Sequence, residues 1–299
     1  MLSYQALGAV AQLGEHLVCN QGVVGSNPIR SIHISPHPPI PMSPTEWLLF
    51  LIELADRADK LALQWFRTRD LRIDQKPDAS PVTEADRAIE AMARQLVHER
   101  YPEVGVLGEE QGDATGSAGT RLVIDPIDGT RNFVRGIPVF ATLLAIEAGD
   151  EIVAGVASAP GLGARWHAAR GAGAFRDGRR LHVSAAPSLA DALLFHGNLG
   201  AQEGGPPPGL LALLPYVGHT RGFGDFYQHM LVAEGAGDIA VDPVMHPWDI
   251  AALQVIVEEA GGRATSLQGE RSIRAPSLVS SNGVLHEAVL HALSGKPAT

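Results

Sequence analysis

Cysteine is nearly absent from this chain of 299 residues: Cys19 is the only one, so no intramolecular disulfide can form. Long apolar runs are absent too, and none approaches the roughly 18 residues that suggest a membrane span. The apolar run at residues 47–52 is far too short and lies in an amphipathic context. Because a chain without disulfides suits a reducing compartment, we expect a cytoplasmic protein that does not bind a membrane.

Basic residues are scarcer than acidic ones, 23 against 33, which gives a formal net charge of -10. This balance argues against nonspecific binding to nucleic acid and to anionic membrane surfaces. It does not exclude a phosphate ligand, because bound metal ions dominate the field in a local site. We therefore expect a small molecule, and neither a nucleic acid nor a membrane, as the partner.

Residues 1–41 lack a sustained helical or strand period, and they lack the basic start and apolar middle of a signal peptide. The segment from Val10 to Arg30 resembles a translated tRNA gene, since residues 25–28 can be encoded by a T-arm sequence. We expect a non-native extension over residues 1–41 and a biological start at Met42. A disordered extension that belongs to the natural protein is the alternative.

One segment carries the clearest chemical signal, and it reads Asp125-Pro126-Ile127-Asp128-Gly129-Thr130-Arg131-Asn132-Phe133 after an apolar run. Two carboxylates three residues apart at a strand end can hold a hard cation such as Mg²⁺. The Gly-Thr turn that follows offers backbone N–H groups and a hydroxyl to a phosphate. Metal-assisted phosphoester hydrolysis requires this combination, although Asp-x-x-Asp-Gly also occurs in ordinary turns.

Two further segments decide between these interpretations. Gly108-Glu109-Glu110 follows a second apolar run, and Trp248-Asp249-Ile250-Ala251-Ala252 continues into Glu258-Glu259-Ala260-Gly261-Gly262. Together with the first motif, they resemble the inositol monophosphatase family of Mg²⁺-dependent phosphatases, from about Ala55 to the C-terminus. The resemblance implies an α+β fold of the inositol monophosphatase and fructose bisphosphatase-like sugar phosphatase type. It also implies a layered αβαβα sandwich, an active site between two halves, and a homodimer.

The apolar periodicity predicts where the elements lie. We predict helices at 44–67, 83–101, 224–235 and 247–260, and another after the proline loop at 206–208. We predict strands at 71–73, 104–107, 121–125, 139–147, 152–159, 192–195 and 238–241, and two strands joined by a Gly-rich turn within 165–175. We divide the fold into an N-terminal α+β half, residues 42–183, which carries the metal site, and a C-terminal half. The latter, residues 184–299, alternates strands with helices and carries the substrate-facing residues.

The resemblance implies a set of metal ligands. They are Glu109, Asp125, Asp128, Asp249 and the backbone carbonyl of Ile127, with Asp86 near a third and weaker site. Glu110 and Lys76 match family positions as well. Two or three Mg²⁺ ions are expected, and Mn²⁺ is an alternative, because hard cations prefer oxygen ligands. Taken singly, each acid is equally explained as a solvated surface carboxylate, and Asp249 as a residue that favours a helix start.

Catalytic roles follow from the same resemblance. Glu109 is expected to act as the base on a water whose pKa a cation lowers, Thr130 to help orient that water, and Asp128 to complete the catalytic set. The amides of Gly129 and Thr130 should hold the phosphate. The expected reaction is a direct in-line attack without a phosphoenzyme.

Substrate choice depends on positions outside the metal set. Matching order implies that Gly129, Thr130, Arg131, Arg221, Gly224, Asp225, Phe226, Asp242 and Asp249 face the substrate. Residues 71–78, 131–136 and 227–238 look most like histidinol-phosphatases of the actinobacterial type, which implies L-histidinol phosphate as substrate. Asp225 and Asp242 suit its amine and imidazole, although one could simply cap a helix and the other end a strand. The alternatives are an inositol-1-monophosphatase or broad phosphatase, and an inactive metal-binding scaffold.

Overall fold

The structure, a computed structural model, describes residues 42–68, 71–75, 81–200, 205–206 and 208–295. The predicted extension at residues 1–41 and the predicted site residue Lys76 lie outside the described residues. Met42–Thr299 form one compact unit.

Seven α-helices lie within the described ranges. They are α1 (Pro44–Trp65), α2 (Glu84–Arg100), α3 (Thr130–Val134), α4 (Pro208–Leu213), α5 (Asp225–Ala233), α6 (Pro247–Glu259) and α7 (His286–Leu293). No helix in these ranges is both long enough and apolar enough to cross a membrane.

Fifteen strands accompany them in the same part of the chain. They are β1 (Ile73–Gln75), β2 (Pro81–Thr83), β3 (Gly105–Gly108), β4 (Gly112–Ala114), β5 (Thr120–Asp128), β6 (Ala141–Ala148), β7 (Glu151–Ala159), β8 (Ala164–Ala169), β9 (Gly173–Arg176), β10 (Arg179–Arg180), β11 (Leu193–His196), β12 (His219–Gly222), β13 (Ile239–Asp242), β14 (Arg263–Thr265) and β15 (Leu278–Ser281).

These strands form an antiparallel pair and two larger sheets. β1 pairs with β2, and the eight-stranded sheet has the order β10-β9-β8-β7-β6-β5-β3-β4. Only β3 and β5 are parallel in that sheet. The five-stranded sheet has the order β12-β11-β13-β15-β14, with β11 parallel to both of its neighbours.

Helices cover both faces of each larger sheet. α1 and α2 pack on one face of the eight-stranded sheet, and α5 and α6 pack on the other, each pair around its own apolar cluster. α5 also packs on the five-stranded sheet, whose outer face is covered by α4 and α7. The layers therefore follow the order αβαβα, which confirms the predicted architecture.

The apolar character of α6 explains its central position. Residues 250–257 of this helix are all buried, and all of them except Gln254 are apolar. A helix that is hydrophobic on all sides must be buried, and here it lies between the two sheets. Since α6 begins with Asp249 in its first turn, this packing also sets where that carboxylate lies.

Local capping sets the starts of the first two helices, at Pro44 and Glu84, which agree with the predicted bounds to within one residue. Ser43 and Glu46 form a capping box at the start of α1. Thr83 accepts hydrogen bonds from the amides of Ala85 and Asp86 at the start of α2. The predicted end of α1 at residue 67 is two residues late, because the helix ends at Trp65.

The periodicity missed several short elements. β4 and β12 are edge strands with mostly exposed residues, so they lack the apolar alternation that identifies a strand. No prediction covered β14, β15 or α7. The strand predicted at 71–73 instead spans Ile73–Gln75, where its register is set by pairing with β2.

We predict that Gly155→Ala lowers the free energy of unfolding by about 1–3 kcal/mol, because overpacking forces neighbouring groups to shift. A Cβ at Gly155 in β7 would lie 2.6 Å from Cγ1 of Val255 and 3.1 Å from Cα of Ala252, both in α6. Urea denaturation would measure the change. Leu49→Ala, at a residue that is 64% exposed on α1, is the control and should change stability by less than about 0.5 kcal/mol. Equal stability of the two variants would contradict the close packing of α6 on β7.

Candidate active site

Three segments of the chain converge on one cleft of about 200 Å³. β5 ends at Asp128 and carries Asp125, and α6 contributes Asp249 from its first turn. Because β3 runs parallel to β5, with Gly108 opposite Ile124, Glu109 follows at the same end of the sheet. The cleft is lined by Glu109, Asp125, Ile127, Asp128, Gly129, Thr130, Gly197, Asn198, Asp225, Asp242, Val244, Met245 and Asp249.

Three of these acids have the arrangement of a cation site. Asp125, Asp128 and Asp249 each offer a carboxylate oxygen, and the three oxygens lie within 4.8 Å of one another. Asp125 is 3% exposed, and its Oδ1 atom has no hydrogen-bond partner among the described residues. A buried carboxylate oxygen without a donor is costly, and a hard divalent cation would compensate it. The all-oxygen donor set fits Mg²⁺ or Mn²⁺.

Burial and neighbouring acids raise the pKa of three carboxyl groups in the cleft, those of Asp125, Asp128 and Asp249. Desolvation raises the pKa of Asp125 well above its ordinary value of 3.8, and the charges of Glu109, Asp128 and Asp249 raise it further. Desolvation and neighbouring acids do the same to the pKa of Asp128. Desolvation raises the pKa of Asp249 to about 7, although a hydrogen bond from the backbone N–H of His246 opposes this. Without a cation, the cleft therefore favours protonated carboxyl groups.

Gly129 and Thr130 form the turn that follows the acids. Gly129 has a φ of 80°, which favours glycine, and it is the N-cap of α3 without a side-chain cap bond. The hydroxyl of Thr130 donates to the carbonyl of Ile127 at 2.8 Å. Thr130 is thus the first residue of α3 and does not cap it. The carbonyl of Ile127 keeps a second lone pair for another partner.

Asp86 lies outside the cleft, but the nearby acids Glu109 and Glu110 help to raise its pKa. It is 1% exposed at the start of α2, where one carboxylate oxygen accepts from the backbone and hydroxyl of Thr83. Its other oxygen, Oδ1, has no partner within the described ranges. Desolvation raises the pKa of Asp86 to about 7, and the charges of Glu110 and Glu109 add to this.

A second, wider cleft of about 390 Å³ shares part of its lining with the first. The shared residues are Glu109, Gly129, Thr130, Gly197, Asn198 and Asp225, and the wider cleft adds Pro81, Arg131, Asn132, Gly222, Phe223 and Gly224. The predicted substrate residues Arg131, Gly224 and Asp225 therefore lie together next to the acids. Asp242 lines the narrower cleft.

Two predicted substrate residues have side chains elsewhere. The guanidinium of Arg221, an exposed residue of β12, donates to the carbonyl of Thr220 and lines neither cleft. The side chain of Phe226 is fully buried and packs against Trp166. Only the backbone of Phe226 reaches the site, where its N–H donates to Oδ2 of Asp128 at 2.7 Å.

Glu90, which no motif above includes, holds the loop that carries Glu109. Its fully buried carboxylate accepts from the backbone N–H of Glu110 at 2.7 Å and of Gln111 at 3.0 Å. Arg94, one turn further along α2, pairs with the same carboxylate at 2.8 Å. The spacing of four residues from Asp86 to Glu90 and from Glu90 to Arg94 was the available signal, because such residues share one helix face.

Asn132 was also missed, although it belongs to the first motif. Its side-chain N–H groups donate to the carbonyl of Val139 at 2.9 Å and to Oδ2 of Asp225 at 3.0 Å. This amide links α3 to the start of α5 and holds the carboxylate of Asp225. Nothing in the local sequence reveals a contact between residues 93 positions apart.

Comparison with known proteins places this site in a family. The sequence pattern of the inositol monophosphatase family matches residues 43–297. The chain is 47% identical over 253 residues to a histidinol-phosphatase of Mycobacterium tuberculosis, covering 83% of this chain and 97% of that protein. It is 44% identical over 247 residues to a histidinol-phosphatase of Streptomyces coelicolor, covering 79% and 92%. The crystal structure of the extragenic suppressor protein suhB of Bartonella henselae has a TM-score of 0.77 and 30% identity, covering 83% and 98%.

We predict that the stability of the metal-free protein, measured relative to Asp249→Asn, falls as the pH rises from about 4 to about 7. The carboxyl group of Asp249 has a pKa of about 7 in the folded protein and an ordinary value of 3.8. Between these values the folded protein retains a proton that the unfolded chain has released, so a rising pH favours unfolding. Urea denaturation at several pH values, in a chelator, would measure the difference. Adding Mg²⁺ should reverse the trend, and a difference independent of pH would contradict this account.

We predict that Glu90→Gln lowers the free energy of unfolding by about 3 kcal/mol or more, because Arg94 loses its buried counter-charge. Turnover should fall as well, since the loop that carries Glu109 loses two charged hydrogen bonds. Glu99→Gln on the same helix is the matched control, because this exposed residue accepts only from Gln95 among the hydrogen bonds of the described side chains. Urea denaturation and phosphate release would test both variants. A Glu90→Gln enzyme with full activity would contradict the positioning role.

Proposed function

Because this chain belongs to the inositol monophosphatase family and is a phosphoric monoester hydrolase, we propose that its substrate is L-histidinol phosphate. The products would be L-histidinol and phosphate, formed by direct in-line attack of water with the help of Mg²⁺. The relatives with 47% and 44% identity, both histidinol-phosphatases, support this choice.

The observation that carries the proposal is a pair of additional acids. Asp225 and Asp242 line the same cleft as Asp125, Asp128 and Asp249, yet they lie outside the three-acid cluster. Histidinol phosphate carries an amine and an imidazole, and each charge-assisted contact with a carboxylate contributes about 1.5–3 kcal/mol. A neutral polyol has no cationic group that could pair with two further carboxylates. Without such a pair, the two carboxylates would only add to the repulsion among the acids of the cleft.

The residues that would hold the metal in the narrower cleft are the predicted ligands other than Asp86, which lies outside it. Asp125, Asp128, Asp249, Glu109 and the carbonyl of Ile127 all line the narrower cleft. When bound, a divalent cation lowers the pKa of a water and neutralises charge on the phosphate. Two or three Mg²⁺ ions, or Mn²⁺ in their place, suit these oxygen donors. An inactive scaffold would require a missing ligand or a missing Thr130, and all of them are present in one cleft.

The phosphate would lie where the two clefts meet, at Gly129 and Thr130. Backbone N–H groups at a helix start lack intrahelical partners and favour an anion, so the turn before α3 suits the phosphate oxygens. The hydroxyl of Thr130 donates to Ile127, which leaves its oxygen as an acceptor for the attacking water. Glu109 would take the proton of that water, and the leaving alkoxide of histidinol would receive one from solvent.

The alcohol part of the substrate would extend from the narrower cleft, which Asp242 lines, into the wider cleft, which Asp225 also lines. Asp225, held by Asn132, would accept from one cationic group, and Asp242 from the other. Arg131, in the same cleft, offers a charge to the phosphate. A homodimer and a cytoplasmic location stay predictions of the sequence.

Phosphate release with and without Mg²⁺ tests the proposal directly. The substrates would be L-histidinol phosphate, inositol 1-phosphate and fructose 1,6-bisphosphate, with Asp128→Asn as the inactive control. A strong preference for histidinol phosphate supports the proposal. A preference for another ester would overturn the substrate but keep the metal chemistry, and no release from any ester would favour a scaffold.

We predict that Asp225→Asn lowers kcat/KM for histidinol phosphate by about 10- to 100-fold, because one charge-assisted contact is weakened. The same variant should change kcat/KM for inositol 1-phosphate much less. Asn retains an oxygen that can accept from Asn132, so the position of the side chain is largely kept. Steady-state kinetics on both esters would test this, and equal losses on the two would show that Asp225 does not select the substrate.

A further inference from the structure

Asp242, at the end of β13, is contacted from behind by two buried residues of α5. Gln228 and His229 are both 0% exposed. The side-chain N–H of Gln228 donates to Oδ2 of Asp242, and Nε2 of His229 lies 3.3 Å from the same oxygen. A pair of polar side chains at the centre of a packed fold is costly unless its hydrogen bonds are made.

The hydrogen bonds of His229 set its tautomer. Its Nδ1 atom lies 2.8 Å from the hydroxyl oxygen of Ser280 in β15. Because an ionised carboxylate can only accept, Nε2 must carry the proton that faces Asp242. In neutral His229, Nδ1 then accepts from the hydroxyl of Ser280. A continuous path of hydrogen bonds therefore runs from the five-stranded sheet, through α5, to the cleft.

The amide of Gln228 is oriented to donate a hydrogen bond to Asp242. Its Oε1 atom is buried and has no hydrogen-bond partner among the described residues, while its N–H group faces the carboxylate. Turning the amide over would place oxygen against oxygen. The orientation that binds Asp242 is thus kept although it leaves a polar atom unsatisfied.

The two carboxylate oxygens of Asp242 consequently have different surroundings. Oδ2 receives both donors from α5. Oδ1 lies on the side of Gly197, where a Cβ atom would be only 2.9 Å from it. Gly197 and Asp242 both line the narrower cleft. The absence of a side chain at Gly197 leaves this approach to Oδ1 open.

We propose that His229, oriented by Ser280, is a positioning residue that holds Asp242 with Oδ1 directed to a cationic group of the substrate. This inference rests on the proposed function, since it assigns His229 to the recognition of the amine or imidazole of histidinol phosphate. His229 does not contact the substrate and acts only through Asp242. Selectivity for a cationic ester thereby depends on a residue in the interior of the fold.

His286 provides a matched control within the same chain. It is also 0% exposed, and its ring lies between two hydroxyls, with Nε2 2.8 Å from Thr265 and Nδ1 2.8 Å from Ser281. It lines neither cleft. Replacing His286 therefore removes a comparable buried imidazole without affecting Asp242.

We predict that His229→Asn raises KM for histidinol phosphate about tenfold with little change in kcat, since a charge-assisted contact is misaligned. Asn can replace the Nδ1 contact to Ser280 but does not reach Asp242, whereas His229→Gln places an N–H near the position of Nε2 and should restore most of the loss. KM for inositol 1-phosphate should change much less.

His286→Asn, the control, should lower the melting temperature to a similar extent and leave both KM values unchanged. Ser280→Ala should raise KM in the same direction but less, and it serves as the test variant if His229→Asn does not fold.

A double-mutant cycle with Asp242→Asn completes the experiment. If His229 acts through Asp242, the double variant His229→Asn with Asp242→Asn is no worse on histidinol phosphate than Asp242→Asn alone. Additive losses, or equal effects of His229→Asn on the two esters, would overturn the inference. If the wild type prefers histidinol phosphate but His229→Asn and His286→Asn have the same KM values, the inference is overturned and the proposed function stands. A wild type without that preference would overturn the proposed function, and this inference with it.

Discussion

Repulsion among carboxylates is the constraint on which the rest of this structure depends. Five aspartates and Glu109 share one cleft, where burial and neighbouring acids raise the cost of ionising Asp125, Asp128 and Asp249. The protein offsets part of this cost with backbone donors, since the N–H of Phe226 contacts Asp128 and that of His246 contacts Asp249. A hard cation would offset the remainder, so binding of such a cation would also stabilise the site.

The five layers bring these acids together from distant parts of the chain. The parallel pairing of β3 with β5 aligns Glu109 with the end of β5. α6, apolar on every side, is held between two sheets, and its close approach to Gly155 fixes where Asp249 lies. The five aspartates therefore lie on strands and helices, and the loop that carries Glu109 is held by the buried carboxylate of Glu90. Such support is what a site with several like charges requires, because a mobile loop would move the charges apart.

The acids of the cleft differ in the groups that contact them. The cluster of Asp125, Asp128 and Asp249 includes a carboxylate oxygen, Oδ1 of Asp125, that has no partner within the described residues, and the cluster is suited to a cation. Asp225 and Asp242 instead receive donors from Asn132, Gln228 and His229, which fix their orientation. Asp125 thus keeps a buried oxygen without a hydrogen-bond donor among the described residues, whereas Asp225 and Asp242 are held by side-chain donors. These different surroundings suit the two groups of carboxylates to different partners.

The sequence by itself determined the caps of α1 and α2, the motif of Asp125 to Thr130 and the family resemblance, because these depend on short-range spacing. Periodicity also identified most buried strands, but it missed the exposed edge strands, which have no apolar alternation. Only the tertiary structure turned the side chains of Arg221 and Phe226 away from the clefts, placed Glu90 and His229 behind the site, and brought Asn132 to Asp225. Those contacts join residues up to 93 positions apart, and their partners are set by how layers pack, which no local pattern records.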